Sequence, residues 1–233
     1  MKNQDGYVRP KINREQSLNL LDSARLYGIV DAGYIAADEY TAVAQELIDA
    51  GVTVLQWRAK DVEIIEVERV AHELAQICAR GGAHGDVVFI VNDYPEIALC
   101  VGADGVHIGQ DDGNLAAVRE IVGEQLMVGR STHSAEQAKA ALDEGFDYIG
   151  FGPLFPTPTK KGRPSIGLED VSEVENNVGS KIPVFCIGGV KMENLEKVKL
   201  AGARRVVVVS DILQASSKSE RVGEILAFMH SPA

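Results

Sequence analysis

The chain has 233 residues, a formal net charge of −11 and 45% apolar residues. This length is enough for one large domain with a sizeable core, and the apolar content is ordinary for a globular protein. The negative charge argues against nucleic acid or an anionic membrane as the main partner. A local cationic pocket for a phosphorylated small molecule is still compatible with it.

The cysteines and the N-terminal stretch indicate the cellular compartment. Cys78, Cys100 and Cys186 are widely spaced in apolar surroundings and have no metal-type spacing. We expect them to be buried, reduced thiols, as in a cytoplasmic protein. The N-terminal stretch has no apolar core like that of a signal peptide, and no run approaches the ~18 apolar residues of a membrane span. The sequence therefore predicts a cytoplasmic protein that does not bind membranes, and it leaves homo-oligomerisation open.

Eight short apolar runs, rich in β-branched residues, are predicted to be strands. They are residues 26–31, 54–59, 87–92, 105–109, 126–131, 148–153, 183–188 and 205–210. Near-continuous apolar runs of this length are typical of strands that are buried on both faces of a parallel sheet.

Amphipathic stretches between these runs are predicted to be helices. The clearest are residues 38–50, 62–80, 134–144 and 192–201, and a glycine follows each of them. Glycine lets the chain leave a helix through a left-handed conformation, so that the next strand can follow at once. Repeated strand–helix units indicate an α/β fold, and eight units within about 205 residues favour a small (β/α)8 TIM barrel.

We expect one domain, with residues 26–233 as the barrel and residues 1–25 as a short N-terminal extension. The extension contains Leu18, Leu20 and Leu21, so we expect a helix that covers the N-terminal face of the barrel. An open doubly wound sheet is the alternative, and it would favour a glycine fingerprint after the first strand. The stretch D-A-G-Y-I-A at 31–36 lacks that fingerprint.

Polar residues and glycines follow seven of the eight predicted strands. They are Gln56, Arg58 and Lys60; Asn92 and Asp93; Asp111 and Asp112; Ser131; Thr157, Thr159 and Lys160; Gly188 and Gly189; and Ser210. In a barrel of this type the active site lies at the carboxyl ends of the strands. We therefore expect these groups to converge.

The residue types indicate two anion sites. Asp93 and one of the pair Asp111 and Asp112 could share Mg²⁺, which prefers carboxylates together with substrate phosphate oxygens. Arg58, Lys60 and Lys160 would then neutralise a pyrophosphate. The turn at Gly188 and Gly189, with the turn after the eighth strand, is a typical barrel site for a single phosphate.

Each group also has a purely structural interpretation. Asn92 and Asp93 could cap a helix, Asp111 and Asp112 could form a turn, and the two glycines could form a tight strand–helix connection. His107 lies within a strand and is expected to be a barrel-wall residue. Trp57 alternates to the helix side of its strand, where packing is its expected role.

Seven motifs occur in the order and spacing typical of one enzyme family. They are Q-W-R-A-K (56–60), F-I-V-N-D (89–93), G-A-D-G-V-H-I-G-Q-D-D (102–112), G-R-S-T-H-S (129–134), G-P-L-F-P-T-P-T-K (152–160), C-I-G-G-V (186–190) and V-V-V-S-D-I (207–212). By these motifs the chain resembles the thiamine phosphate synthase family over roughly residues 26–228.

The resemblance implies a (β/α)8 transferase that requires Mg²⁺. Such an enzyme joins 4-amino-2-methyl-5-(diphosphooxymethyl)pyrimidine to 4-methyl-5-(2-phosphoethyl)thiazole, or to the carboxylated form of that thiazole. The products are thiamine phosphate and pyrophosphate. The pyrophosphate ionises first, and the thiazole nitrogen then attacks.

The resemblance also implies a role for each motif residue. Arg58, Lys60, Ser131 and Lys160 are the implied catalytic residues, and Asp93 and Asp112 are the implied Mg²⁺ ligands. The implied binding residues for the pyrimidine pyrophosphate are Gln56, Trp57, Arg58, Ala59, Lys60, Asn92, Ser131 and Lys160. Those for the thiazole phosphate are Thr157, Pro158, Thr159, Gly189, Val209 and Ser210.

Two rival functions share this barrel. A thiazole tautomerase would need no metal, and His133 would be its acid and base; Arg130 also occurs in that group. Its typical members lack the acidic metal pair and the T-P-T-K loop, which this chain has. A non-catalytic binder of thiamine intermediates would need neither two metal carboxylates nor Lys160.

Overall fold

The computed structural model describes residues 12–157 and 164–231, and within them eight parallel strands close into a barrel in chain order. The strands are β1 Leu26–Asp31, β2 Val54–Arg58, β3 Val88–Asn92, β4 Gly105–Ile108, β5 Met127–Thr132, β6 Tyr148–Phe151, β7 Val184–Cys186 and β8 Val206–Val207. The predicted (β/α)8 barrel is confirmed.

Helices surround the barrel and follow the strands. They are α1 Arg14–Ser23, α2 Tyr40–Asp49, α3 Ile64–Arg80, α4 Pro95–Cys100, α5 Leu115–Val122, α6 Ala135–Glu144, α7 Val171–Asn177, α8 Leu195–Leu200, α9 Ser210–Leu213 and α10 Lys218–His230, with a 3₁₀ turn at Met192–Asn194. Among the described residues, no helix combines the length and apolarity needed to span a bilayer.

The last two strands are shorter than their apolar runs predict. β7 ends at Cys186 because Gly188 and Gly189 turn the chain with positive φ angles of 94° and 66°. β8 has two residues, and Ser210 already begins α9. The apolar runs therefore continue past the strands into the loops that form the mouth of the barrel.

Helix α3 shows how the outer layer is built. Its apolar residues recur at three- and four-residue intervals, and Val67, Ala71 and Leu74 are buried against the sheet. The helix ends where Gly81 adopts a positive φ of 64°. Its opposite face, which includes Glu68 and His72, is exposed.

Helix α1 covers the N-terminal end of the barrel, as the leucines of the extension predict. Leu21 is fully buried in the interior cluster with Tyr27 and Met127. Burial of one such leucine contributes roughly 2 kcal/mol. Arg205 donates from Nε to the carbonyl of Asp22 at 2.9 Å, which ties the end of α1 to β8.

The cysteines differ in part from the prediction. Cys78 and Cys186 are buried, and burial raises the pKa of both thiols. Cys100 is exposed, because it is the last residue of α4 and lies on the outer surface of the helical layer. The expectation that all three thiols are buried was wrong for this residue.

Candidate active site

A cavity of about 860 Å³, counted with its open mouth, lies at the carboxyl ends of the strands. Nine of the residues predicted from the sequence to form the site line it: Gln56, Arg58, Asn92, Ser131, Thr157, Gly188, Gly189, Val209 and Ser210. The barrel thus brings together side chains that lie up to 154 positions apart in the chain, from Gln56 to Ser210.

Arg58 is fixed in the cavity wall by Asp31. The register of β1 and β2 places the two residues side by side, and Arg58 Nη1 donates to Asp31 Oδ2 at 2.7 Å. Asp31 Oδ1 also accepts from the amide of Gly33 at 2.9 Å. Both side chains are largely buried, so the ion pair is little screened by water. The guanidinium is therefore held in one orientation at the site.

Lys60, Asp93 and Asp112 form a charged cluster beside this wall. Lys60 Nζ lies 2.5 Å from Asp93 Oδ2, and Asp112 Oδ2 accepts from the amide of Gly109 at 2.9 Å. Asp93 has a positive φ of 66°, which is uncommon for a residue other than glycine. Its amide donates to the carbonyl of His107 at 2.9 Å. The strained backbone directs this carboxylate toward Lys60.

The pKa values of Asp93 and Lys60 are both shifted by burial and by the charged groups beside them. Burial raises the pKa of Asp93, Lys60 opposes the rise, and the Asp112 carboxylate adds to it. For Lys60, burial lowers the pKa, but the hydrogen bond and charge of Asp93 and the charge of Asp112 outweigh it, so that the pKa is raised. Two carboxylates so close together favour an additional cation. The oxygen-only donors suit Mg²⁺, which Asp112 rather than Asp111 would help to bind.

A chain of hydrogen bonds crosses the barrel interior and ends at Ser131. Gln56 Nε2 donates to the Tyr27 hydroxyl at 2.9 Å, and the hydroxyls of Tyr27 and Tyr148 are 3.3 Å apart. His107 lies 3.2 Å from the Tyr148 hydroxyl through Nδ1 and 3.0 Å from Ser131 Oγ through Nε2. His107 is a wall residue as expected, and it also positions Ser131.

The side chains of Trp57 and Ala59 do not line the cavity. Both are buried in the outer core between sheet and helices, and Trp57 Nε1 donates to the carbonyl of Val67 on α3 at 3.2 Å. Strand alternation sends Gln56 and Arg58 inward and Trp57 outward. Of residues 56–60, Gln56 and Arg58 therefore point into the cavity, and Lys60 lies beside it in contact with Asp93.

The opposite side of the cavity is built from close-packed backbone. A Cβ on Gly188 would lie 2.3 Å from Pro153 Cα, and one on Gly189 would lie 2.7 Å from Phe155 Cβ. Phe155 donates from its amide to the carbonyl of Gly188 at 2.9 Å. The two glycines therefore let the loop after β6 pack directly on the loop after β7. Pro158, Thr159 and Lys160 lie outside the described residues.

Several cavity residues were missed by the sequence analysis. They are Tyr27, Ile29, Asp31, Tyr148, Phe185 and Ile187. For the residues of β1, the sequence pattern does indicate this position, because the alternation of side chains from Asp31 places Ile29 and Tyr27 on the inner face. An apolar residue within a strand is expected to pack in the core, so alternation alone does not identify it as a cavity residue.

His133 does not line the cavity, in contrast to the acid–base role that a tautomerase would give it. Its amide donates to Gln137 Oε1 at 2.8 Å, and its Nδ1 contacts the carbonyl of Gly152. Arg130 donates to the carbonyls of Gly113 and Gln110 and so braces the loop that carries Asp112. Both residues have structural roles.

Comparison with known proteins assigns the chain to a family. The family model described as thiamine monophosphate synthase matches residues 26–212, most of the chain. The chain belongs to the thiamine monophosphate synthase family. The matched region contains every element of the cavity described above.

Individual relatives agree with the family assignment. A thiamine-phosphate synthase of Acidothermus cellulolyticus is 41% identical over 214 residues, 91% of this chain and 98% of the relative. One from Thermus thermophilus is 44% identical over 171 residues, covering 73% and 80%. The solved thiamine phosphate pyrophosphorylase of Pyrococcus furiosus superposes with a TM-score of 0.79 at 30% identity, covering 91% of this chain and 98% of the other.

Proposed function

We propose that this cavity joins an aminopyrimidine methyl diphosphate to a thiazole phosphate, giving thiamine phosphate and pyrophosphate. Synthase activity follows from membership of the family. The observation that carries the assignment of the site is the division of the cavity. Polar and charged side chains of β1–β5 line one side, and the loops after β6, β7 and β8, with glycines in the first two, line the other.

The diphosphate is assigned to the charged side. Arg58 is already oriented by Asp31, and a guanidinium binds phosphate oxygens with two hydrogen bonds. Lys60 adds a second positive charge beside Asp93. We assign Lys160, which follows the cavity residue Thr157 by three positions, to the same leaving group. Together these cations stabilise the charge that develops as the C–O bond breaks.

Asp93 and Asp112 are the proposed Mg²⁺ ligands. They offer only oxygen donors, and the raised pKa of Asp93 reflects partial burial and the second carboxylate nearby. When bound, Mg²⁺ would supply positive charge that neutralises the diphosphate. With the cation present, Lys60 can turn from Asp93 to the substrate oxygens.

The aminopyrimidine is assigned to the polar wall. Gln56, Asn92 and Ser131 line the cavity from β2, β3 and β5, and each carries hydrogen-bonding groups for a ring amine or ring nitrogen. His107 holds the Ser131 hydroxyl in place. Hydrogen bonds to the amino group would favour the electron-rich form of the ring that can carry positive charge at its methylene.

The thiazole phosphate is assigned to the loop side. Thr157, Gly189, Val209 and Ser210 converge there, and Pro158 and Thr159 follow Thr157 in the sequence. Backbone amides and hydroxyls bind a phosphate without a fixed positive charge. The thiazole nitrogen would then donate its electron pair to the methylene carbon, while the diphosphate leaves with the electrons of the broken C–O bond.

The apolar part of the cavity supports this order of events. Ile29, Tyr148, Phe185 and Ile187 line its floor and offer no charged group to hold water. Water would otherwise react with a cationic methylene and give the alcohol instead of the product. Exclusion of water from the cavity would therefore favour the product.

Pyrophosphate release from the purified protein tests the proposal. We expect release only when both substrates and Mg²⁺ are present. Isomerisation of the thiazole phosphate without pyrophosphate release would replace the synthase with a tautomerase. Binding of both substrates without turnover would leave a binding protein.

A further inference from the structure

A cluster of potential metal ligands lies on the outer helical layer. Glu68, His72 and Cys100 each present one ligand atom, and these three atoms lie within 4.8 Å of one another. Cys100 Sγ is 3.7 Å from Glu68 Oε1. All three residues are exposed, and none of them lines the active-site cavity.

Rigid elements hold the three residues together. Glu68 and His72 are four positions apart on α3, so their side chains lie on the same face of that helix. Cys100 is the last residue of α4, which packs beside α3 in the barrel. The buried faces of both helices fix their separation, because Val67, Ala71 and Ala98 pack in the same core.

The donor types select a class of metal ion. Thiolate, imidazole and carboxylate are the ligands of Zn²⁺, at about 2.0–2.3 Å. Tetrahedral ligands at these lengths are about 3–4 Å apart, so small rotations of exposed side chains bring the three atoms into place. Mg²⁺ prefers oxygen ligands and is disfavoured by sulfur and nitrogen. The cluster and the Asp93–Asp112 pair therefore suit different ions.

The surrounding charge also favours a cation. Glu66 and Glu73 lie on the same helix, where they pair with Arg69. That arginine is thereby engaged with its own neighbours, one position after Glu68. Three glutamates and one arginine within eight residues leave a net negative charge beside the cluster, which favours binding of a divalent cation.

We propose that Glu68, His72 and Cys100 form a surface Zn²⁺ site that links α3 to α4, with water as the fourth ligand. Binding exchanges the thiol proton for the metal, and no redox change is involved. Because α4 begins two residues after Asp93, a metal at its far end braces the segment that follows the catalytic strand β3.

Co²⁺ titration in excess Mg²⁺ tests the proposal, because Mg²⁺ occupies the carboxylate pair and a thiolate ligand gives a near-ultraviolet charge-transfer band. We expect one equivalent to produce this band in the wild-type protein and Zn²⁺ to abolish it by displacement. Cys100→Ser should remove the band, and His72→Ala should weaken Co²⁺ binding at least about tenfold. His84→Ala is the matched control, since His84 is exposed but outside the cluster.

Two outcomes would overturn the site. The first is Co²⁺ binding without a thiolate band. The second is equal affinity in the wild type, Cys100→Ser and His72→Ala. Thermal unfolding provides a second readout, because a ligand that binds only the folded state raises Tm. We expect Zn²⁺ to raise the Tm of the wild type and of His84→Ala but not of Cys100→Ser, and an equal rise in all three would contradict the proposal.

Discussion

The two sides of the cavity are built in different ways. On the β1–β5 side, charged side chains such as Arg58 and Lys60 are paired with carboxylates before any substrate arrives. On the β6–β8 side, the contacts come from tightly packed backbone around Gly188 and Gly189. In the proposed reaction, the diphosphate leaves with its charge and needs cationic side chains, whereas a phosphate that only anchors its ring can rest on fixed backbone.

This difference predicts different consequences of substitution. Changes on the charged side should leave the fold intact and reduce the rate, since those side chains are partly exposed and the strands that carry them stay packed. Changes on the glycine side should displace the backbone, and this displacement should lower the affinity for the substrate. The following variants are ordered from the largest expected effect to the smallest.

Asp93→Asn tests the charged side most directly. Removal of one negative charge from the proposed Mg²⁺ site should lower kcat/KM on the order of 100- to 1,000-fold and raise the Mg²⁺ concentration needed for half-maximal rate. Steady-state pyrophosphate release over a Mg²⁺ series measures both. Asp111→Asn is the control, and we expect it to stay within about threefold of the wild type. Wild-type activity in Asp93→Asn would remove this residue from the metal site.

Gly189→Ala tests the backbone side, and Gly123→Ala is its matched control. Both glycines have positive φ angles, 66° and 61°, but the added Cβ meets Phe155 at 2.7 Å in the first and nothing within 4 Å in the second. Gly123→Ala should lower the free energy of unfolding by only about 1 kcal/mol, which is the cost of a positive φ angle in a residue other than glycine. Gly189→Ala should lower the free energy of unfolding by about 2–4 kcal/mol and raise KM for the thiazole phosphate. Equal unfolding free energies in urea would show that contact with the β6 loop does not matter.

His107→Phe probes the polar chain that joins the two sides. Loss of the 3.0 Å contact with Ser131 Oγ should lower kcat about tenfold with little change in KM for either substrate, because Ser131 remains but is no longer oriented. His107→Gln offers a hydrogen-bonding group of similar reach and should recover part of the rate. If both variants lose stability but keep kcat, His107 is a core residue only.

Thr157→Val should have the smallest effect. The substitution keeps the size of the side chain and removes one hydroxyl from the loop side of the cavity. A lost hydrogen bond of about 1 kcal/mol corresponds to roughly a fivefold rise in KM for the thiazole phosphate. The KM for the pyrimidine diphosphate should be unchanged, and a shift in that constant instead would place Thr157 on the charged side.

The charged side was predicted better than the backbone side. Arg58, Lys60 and Asp93 follow apolar runs directly, so their place at the end of a strand could be read from local pattern. For Gly188 and Gly189, the sequence was equally compatible with a tight turn and with a phosphate site. Their close contact with Pro153 and Phe155 depends on two loops that are about 35 residues apart in the chain.

Trp57 and Cys100 show the limits of a motif. Within the motif Q-W-R-A-K, Gln56 and Arg58 point into the cavity and Trp57 and Ala59 into the outer core, and alternation alone separates them once the strand is placed. Cys100 has no metal-type spacing in the sequence. Its neighbours Glu68 and His72 are about 30 positions away and become neighbours only because α3 and α4 pack side by side.

The sequence by itself determined the number of strands, the parallel barrel and most of the polar residues at strand ends, because these depend on periodicity and on local turn chemistry. The tertiary structure alone decided the Asp31–Arg58 pair, the hydrogen-bond chain to Ser131 and the metal-ligand cluster of α3 and α4. Each of these joins residues from different strand–helix units. The register of the strands and the packing of the helices, which no local pattern encodes, fix the distances between them.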